Sequence, residues 1–223
     1  MKKIAWYGPG APSVRQMALL HQRFPQIAIE YRGQAGNAAR TAADYRGSCS
    51  DDLAVIAPRA VLEHLLREGL KPIWADAELC EADHPERDIG PLRDGRCFRS
   101  TGYRRLVEMR LETESPKPLP IKGRVARVLA LLRHDMPREE EDAVRRLYPS
   151  AAIVKDPRPF RGVQEISDRL VSANADDLLL VAPLSIFGEL CRQGIRPLRG
   201  VMQGDRFERL ERVVELREVF EQL

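Results

Sequence analysis

The sequence predicts an α/β protein made of two tandem copies of a Rossmann-like unit. Three observations support this prediction: short apolar segments typical of parallel strands, helical segments of about ten residues between them, and a register in which the second half repeats the first. Each copy is expected to end in an additional strand, antiparallel to the others. The copies cover residues 1–114 and 124–223, and residues 115–123 form a proline-rich linker.

The repeat is clearest around the third predicted strand of each copy. DDLAVIAP at residues 51–58 aligns with DDLLLVAP at residues 176–183, an offset of 125, and nine of the 23 positions from 51 to 73 are identical in that register. Near the end of each copy the offset falls to 107, because copy one carries about 18 extra residues within 80–96. The alternative is that two unrelated βαβ units converged on one pattern.

The predicted elements alternate between strand and helix. Strand-like segments cover residues 3–7, 26–31, 52–57 and 70–75 in copy one and residues 125–132, 151–155, 178–182 and 195–201 in copy two. Helices follow the first and third strands, where apolar residues recur at helical spacing, at residues 13–24, 59–68, 139–147 and 184–193. The third strands are apolar on both faces, as expected for parallel strands covered by helices.

The last element of each copy follows a different pattern. Val107, Met109 and Leu111 alternate with charged residues, which predicts a half-buried strand. The corresponding tail, residues 213–223, fits a helix as well as a strand. We favour a strand at its start, because copy one is the clearer case.

Composition and charge exclude several classes of protein. A hydrophobic fraction of 43% and a charged fraction of 31% are typical of a globular protein. The net charge is only +3, so a site for an anion has to be local. Neither a membrane span nor a signal peptide is recognisable, and we expect a cytoplasmic protein. The four cysteines lack the spacing of a zinc site and are interpreted as reduced thiols, so we expect neither a metal nor a cofactor.

A ligand is expected beyond the carboxyl ends of the parallel strands, where helix N-termini expose free N–H groups. The candidate ligand-binding residues at these ends are Gly8, Gly10, Arg32, Arg59, Asp135 and Arg158. A guanidinium there suits a phosphate or a carboxylate, although for any one of these arginines a solvated surface position is the better interpretation. The Gly8-Pro9-Gly10 segment lacks a nucleotide-loop pattern, and a plain turn explains it as well.

Arg133-His134-Asp135 is the best catalytic candidate. It places a cation, an imidazole that titrates near neutral pH and a carboxylate at one strand end. The alternative makes Asp135 a helix cap and leaves Arg133 and His134 solvated. Copy one has Gly8-Pro9-Gly10 at the corresponding place, so chemistry here would be asymmetric.

An arginine-rich segment at residues 96–110 suggests a second kind of contact. Arg96, Arg99, Arg104 and Arg105 alternate with aromatic residues, a composition that suits RNA binding, although an edge strand kept soluble by charge is the alternative. The pairs Asp51-Asp52 and Asp176-Asp177 precede the third strands, at the far end from the expected crevice. We interpret them as turn residues.

Copy two resembles the small Rossmann-like proteins associated with CRISPR loci, the CARF and ring-nuclease-like families. The resemblance rests on Arg133-His134 after the first strand, on LVAPLS at residues 180–185 and on LCRQG at residues 190–194. Those families bind or degrade cyclic oligoadenylates as dimers. The resemblance implies a crevice shared by two Rossmann-like units, with Arg133, His134 and Ser185 facing the ligand.

Two functions follow as expectations. The first is binding of a nucleotide-like or phosphate-bearing ligand, such as a cyclic oligonucleotide, between the copies; if the protein is an enzyme, the activity would be a metal-independent phosphodiesterase. The second is a non-enzymatic module that presents the arginine-rich strand to RNA or to a protein. Either a monomer with pseudo-twofold symmetry or a homodimer fits the repeat, and no membrane is expected as a partner.

Overall fold

The computed structural model describes residues 1–91, 95–121, 124–132, 135–204 and 206–223. Within these ranges the chain forms six helices and ten strands. Most of the strand pairings in this part of the chain are parallel. The prediction of an α/β protein with mostly parallel strands is therefore confirmed.

The first half of the chain alternates strand and helix and then adds a long last strand. Its elements are β1 (Lys2–Tyr7), α1 (Val14–Arg23), β2 (Ile27–Gly33), α2 (Ala38–Arg46), β3 (Asp52–Val55), α3 (Arg59–Arg67), β4 (Ile73–Cys80) and β5 (Cys97–Glu114). Asn37 starts α2, because its side-chain oxygen accepts a hydrogen bond from the backbone N–H of Arg40 at 3.0 Å.

The second half has the same order of elements. They are β6 (Arg127–Leu131), α4 (Arg138–Leu147), β7 (Ala152–Lys155), α5 (Val163–Ser172), β8 (Asp177–Leu180), α6 (Leu184–Arg192), β9 (Leu198–Gln203) and β10 (Arg206–Glu221). The sequence prediction omitted α2 and α5, which follow the second strand of each half. The tail that fitted strand or helix is a strand as far as Glu221.

Each half pairs its strands in an equivalent order. In the first half the order is β2-β1-β3-β4-β5, and in the second half it is β7-β6-β8-β9-β10. Parallel pairing ends at β4 and β9, whose other neighbours, β5 and β10, run antiparallel to them. The carboxyl ends of β1, β2 and β3 therefore lie at one edge, and the first turns of the following helices lie beside them.

The chain divides into two compact units whose boundaries differ from the linker expected from the sequence. Unit 1 comprises Met1–Met109 and Glu218–Leu223, and unit 2 comprises Arg110–Arg217. The last residues of β10 thus belong with the first half of the chain, and the last residues of β5 belong with the second half.

Each unit has its own core. In unit 1, Ile4, Trp6, Leu20, Ile73 and Tyr103 pack in one cluster of buried side chains. In unit 2 the side chains of β6 alternate between two clusters, since Val128 and Ala130 pack on one face while Leu129 and Leu131 pack on the other. This arrangement is typical of a parallel strand that is covered on both faces.

Candidate functional site

Hydrogen bonds fix the loop between β1 and α1. The indole N–H of Trp6 donates to the carbonyl of Gly10 at 2.9 Å, and the backbone N–H of Gly8 donates to the carbonyl of Gly33 at 2.9 Å. Ser13 and Gln16 form a capping box at the start of α1. The capping box already engages the backbone N–H groups of Ser13 and Gln16 at this helix N-terminus. This arrangement favours a turn that is held by hydrogen bonds over a phosphate loop at Gly8 and Gly10.

Arg32 lies at the same edge and is held by carboxylates. Its Nη1 donates to Glu30 at 2.9 Å, and its Nε is 3.4 Å from Asp44 Oδ2. The hydroxyl of Tyr7, at the end of β1, donates to the same oxygen of Asp44 at 2.6 Å. Burial and the hydrogen bond to Asp44 raise the pKa of Tyr7 to about 12. Tyr7 therefore stays protonated at neutral pH, as a donor to Asp44.

Arg59, Trp74, Arg104 and Phe220 form what we call the arginine–aromatic cluster. The rings of Trp74 and Phe220 stack with centroids 6.0 Å apart and planes 18° from parallel. The guanidinium of Arg59 lies 5.4 Å from the Trp74 centroid, and that of Arg104 lies 3.8 Å from the Phe220 centroid. Both distances are within the range of cation–π attraction.

The cluster lies where four elements of unit 1 meet. Arg59 is the first residue of α3, whose N-cap is Pro58, and no side chain among the described residues caps this helix. Trp74 and Arg104 are register partners on β4 and β5. Phe220 lies among the last residues of β10, Glu218–Glu221, which belong to unit 1; we call these residues the exchanged end of β10.

Carboxylates balance the two guanidinium groups of the cluster. Arg59 pairs with Glu218, and Arg104 donates to Asp76 through its Nε at 2.7 Å. The side chains of Arg59 and Arg104 remain 35% and 38% exposed. An anionic ligand can therefore reach both cations, but it has to compete with Glu218 and Asp76 for them.

Among the described residues of unit 2, the positions that correspond to the arginine–aromatic cluster hold other residue types. The sequence offsets of 125 and 107 place Leu184, Arg199, Glu211 and Thr113 at the positions of Arg59, Trp74, Arg104 and Phe220. Arg199 and Glu211 form an ion pair at 2.9 Å. The carboxyl edges of the two units thus differ in chemistry, and the aromatic site belongs to unit 1.

The catalytic candidates of copy two remain predictions. Arg133 and His134 lie outside the residues that the structure describes. Asp135 is exposed and Ser185 is half-buried in the first turn of α6. The N-cap residue of α4 is Pro137, so Asp135 does not occupy that position.

Arg158 is held by its neighbour Asp156 after β7. It donates through Nε at 2.9 Å and through Nη2 at 2.6 Å to the two carboxylate oxygens. The hydrogen bond from Arg158 lowers the pKa of Asp156 to about 2. The side chain of Arg158 is nevertheless 73% exposed, so it lies at the surface of unit 2 with its charge balanced.

Carboxylates also pair with the arginine-rich strand. Arg99 pairs with Glu78 and Glu86, and Arg104 pairs with Asp76. Arg96 lies 5.9 Å from the ring centroid of Phe98. Most of the positive charge that suggested an RNA contact is therefore neutralised within unit 1.

The aspartates before the third strands differ from the expectation. Asp52 and Asp177 are buried first residues of β3 and β8, and each binds an arginine of the last strand through both oxygens. Arg105 Nη1 is 2.8 Å from Asp52, and Arg212 Nη1 is 3.0 Å from Asp177. The aspartate and the arginine of this pair are the same residue types in both copies. That identity was the signal in the sequence for the buried pair.

A cavity adjoins each of these buried ion pairs. The cavity in unit 2 has a volume of about 390 Å³ and that in unit 1 about 380 Å³. In unit 2 the segment from Lys117 to Leu119 lines the cavity: the carbonyl of Lys117 accepts from Arg212 at 3.4 Å, and the N–H of Leu119 donates to the Tyr148 hydroxyl at 3.0 Å. These cavities lie at the amino ends of the parallel strands, away from the expected crevice.

Comparison with family models, with curated proteins and with solved structures finds no match to this chain. Among the described residues, no group of three or more His, Cys, Asp or Glu side chains is placed to hold a metal ion. No helix in the described part of the chain is long and apolar enough to cross a membrane.

Proposed function

We propose that unit 1 binds an anionic ligand with a flat aromatic ring, a nucleotide or a cyclic oligonucleotide, at the arginine–aromatic cluster. The observation that carries this proposal is the group of two half-exposed guanidiniums, on Arg59 and Arg104, that lie against the stacked rings of Trp74 and Phe220. Guanidiniums bind phosphates through paired hydrogen bonds, and aromatic rings stack on bases with about 1–3 kcal/mol per base.

The start of α3 adds to this site. The N-terminus of a helix carries a partial positive charge, and Pro58 leaves the first turn of α3 without a side-chain cap. A phosphate that displaces Glu218 from Arg59 would gain the guanidinium and these N–H groups together. We therefore expect binding to weaken as the salt concentration rises, because the ligand competes in an exposed, screened site.

The same order of elements in the two halves supports a duplication of one Rossmann-like unit. In this proposal unit 1 keeps a ligand site at its carboxyl edge, whereas unit 2 has Leu184 and Glu211 at the positions of the two arginines. The resemblance of copy two to ring-nuclease-like families makes a cyclic oligoadenylate the first cyclic ligand to test.

Tryptophan fluorescence tests the proposal directly. Trp6 is 1% exposed and Trp74 is half-buried, so a Trp6→Phe background leaves Trp74 as the reporter. Titration with AMP and cyclic oligoadenylate should change the emission of Trp74, whereas adenosine and inorganic phosphate should bind more weakly, since each offers only half of the contacts. Arg59→Leu, which copies the residue at the corresponding position of unit 2, should weaken nucleotide binding by about tenfold or more.

Arg46→Leu is the matched control. Arg46 also forms a surface ion pair, with Glu68, but it lies in the last turn of α2, away from the cluster. Its replacement should leave nucleotide binding unchanged. If no nucleotide at millimolar concentration changes the Trp74 emission or raises the melting temperature, the proposal fails. Chromatography of the cyclic ligand after incubation without metal separates binding from cleavage.

A further inference from the structure

Cys80 and Cys97 lie opposite each other in unit 1. Cys80 is the last residue of β4, Cys97 is the first residue of β5, and the two are register partners in the antiparallel pair. Both are free thiols. The sequence interpretation treated the four cysteines as scattered, because strand register cannot be read from two residues that are 17 positions apart in the sequence.

Facing positions of an antiparallel pair have the spacing that a disulfide needs. Their side chains are on the same face of the sheet, and their Cα atoms are about 4.5–5.5 Å apart. A disulfide requires Cα atoms about 4.4–6.8 Å apart. The Cα separation expected for this register pair is therefore within the range of a disulfide.

The two thiols differ in access to solvent. Cys97 is 1% exposed, and its thiol is 3.9 Å from the carbonyl of Gly95. Cys80 is half-buried and can meet a small reagent. Desolvation raises the pKa of the Cys80 thiol, and the neighbouring Cys97 adds to the same shift. Cys80 is therefore the first thiol to react, and it reacts slowly at neutral pH.

The two cysteines bracket the segment that distinguishes copy one from copy two. Residues 81–96 connect Cys80 to Cys97 and contain most of the extra residues of copy one. Part of this segment returns to β5, where Ile89 forms a bridge with Phe98 and Glu86 pairs with Arg99. A bond between the cysteines would close this segment at its base.

We propose that Cys80 and Cys97 are a dithiol–disulfide site. In its oxidised form the disulfide joins the two residues that flank the 81–96 segment. The oxidant is a small disulfide such as oxidised glutathione. The Cys80 thiolate attacks one sulfur of oxidised glutathione, forms a mixed disulfide and releases one glutathione, which takes up the proton that Cys80 lost. Cys97 then loses its proton and attacks the Cys80 sulfur, which forms the protein disulfide and releases a second glutathione. Two electrons pass from the two thiols to one glutathione disulfide.

The test is oxidation of the full native chain with oxidised glutathione, followed by acid quenching, alkylation and tryptic mapping. The expected product is residues 68–87 linked to residues 97–99 through one disulfide, with a mass two hydrogens lower than that of the separate peptides. The rate should rise with pH between 7 and 9, because the thiolate fraction of Cys80 increases. The oxidised protein should also melt several degrees higher, because the bond constrains the unfolded chain.

Two variants separate the paired site from a general thiol reaction. Cys97→Ser should retain a glutathione adduct on Cys80, because the second thiol is missing. Cys49→Ser removes an exposed cysteine and should leave the linked peptides unchanged.

The proposal is overturned if Cys80 of the native protein keeps its glutathione adduct while Cys97 remains open to alkylation after unfolding. It is equally overturned if either cysteine links to Cys49 or Cys191 instead. Nucleotide titration plays no part in this test, so its failure would leave the proposed ligand site unaffected.

Discussion

The two buried arginine–aspartate pairs show how neighbouring side chains decide the cost of a buried charge. Arg212 and Asp177 are 6% and 3% exposed, and the Tyr148 hydroxyl donates to Asp177 at 2.7 Å. Arg105 is 23% exposed, and Lys2 lies 3.0 Å from Asp52 as an additional cation. Burial alone would raise the pKa of Asp52, but hydrogen bonds from Arg105 and Lys2 outweigh it and lower that pKa. Loss of one arginine should therefore cost more in unit 2 than in unit 1.

Arg212→Met should lower the free energy of unfolding by about 3–5 kcal/mol, because it leaves Asp177 as a buried charge without its cation. Urea unfolding followed by circular dichroism measures this change. Arg105→Met should cost less, since Lys2 still faces Asp52. The surface control, Arg217→Met, breaks only the exposed pair with Glu112 and should cost about 1 kcal/mol or less. Equal losses for Arg212→Met and Arg217→Met would contradict the assignment of a structural role to the buried pair.

Asp156 provides a prediction about pH. Its pKa in the folded protein is about 2, below its ordinary value of 3.8. A carboxyl with a lowered folded pKa stabilises the fold above the ordinary value, and this contribution disappears as the pH falls through the folded value. Asp156→Asn should therefore destabilise the protein at pH 6, and its difference from the wild type should shrink between pH 4 and pH 2. An Asp142→Asn variant on the exposed part of α4 controls for the loss of one charge. A difference that stays constant down to pH 2 would contradict this pairing.

The elements were partly predictable from the sequence. The third strands are continuous apolar segments, and β3 and β8 lie where that pattern predicts them. Helix α2 was missed because its small alanine side chains give a weak apolar stripe. Helix α5 was missed too, although the apolar spacing of Val163, Ile166 and Leu170 was a signal for it that the sequence prediction did not use. The arginine–aromatic cluster was not predictable, since periodicity within β5 and β10 does not reveal that Phe220 lies beside Arg104.

Close packing of α6 against β10 gives a further prediction. A Cβ atom at Gly188 would lie 2.7 Å from both Cβ and Cδ2 of Leu216. Alanine usually stabilises a helix by about 1 kcal/mol relative to glycine. Here the overlap should outweigh that gain, and Gly188→Ala should destabilise the protein by about 1–3 kcal/mol in thermal or urea unfolding.

Glu189→Ala is the control for that substitution. It changes the next residue of α6, whose side chain is 46% exposed. The change should stay within about 0.5 kcal/mol. A Gly188→Ala protein as stable as the wild type would show that α6 and β10 do not pack this closely.

At the scale of the whole molecule, the exchanged strand ends make unit 1 depend on residues remote in sequence. Phe220 stacks on Trp74, Glu218 pairs with Arg59, and Leu223 packs on the core of unit 1. The proline-rich segment expected as a simple linker instead lines a cavity of unit 2. Cutting the chain at residues 115–123 would therefore remove a part of each unit.

Deletion of residues 218–223 should destabilise unit 1 selectively. Both tryptophans of the chain, Trp6 and Trp74, belong to unit 1, so tryptophan fluorescence follows its unfolding alone. The fluorescence transition should move to a lower temperature, whereas the part of the circular dichroism change that comes from unit 2 should move little. Phe220→Ala should produce a smaller shift in the same direction. An unchanged fluorescence transition would show that unit 1 is stable without these residues.

The exchanged strand end also sets an order of events during synthesis. Residues 1–109 of unit 1 leave the ribosome before unit 2, yet Glu218–Leu223 follow only after the whole of unit 2 has been made. At about 5–20 residues per second this delay lasts roughly 5–20 s. During that time Trp74 and Arg59 lack Phe220 and Glu218 as partners, so unit 2 can reach its native structure first although its sequence comes second.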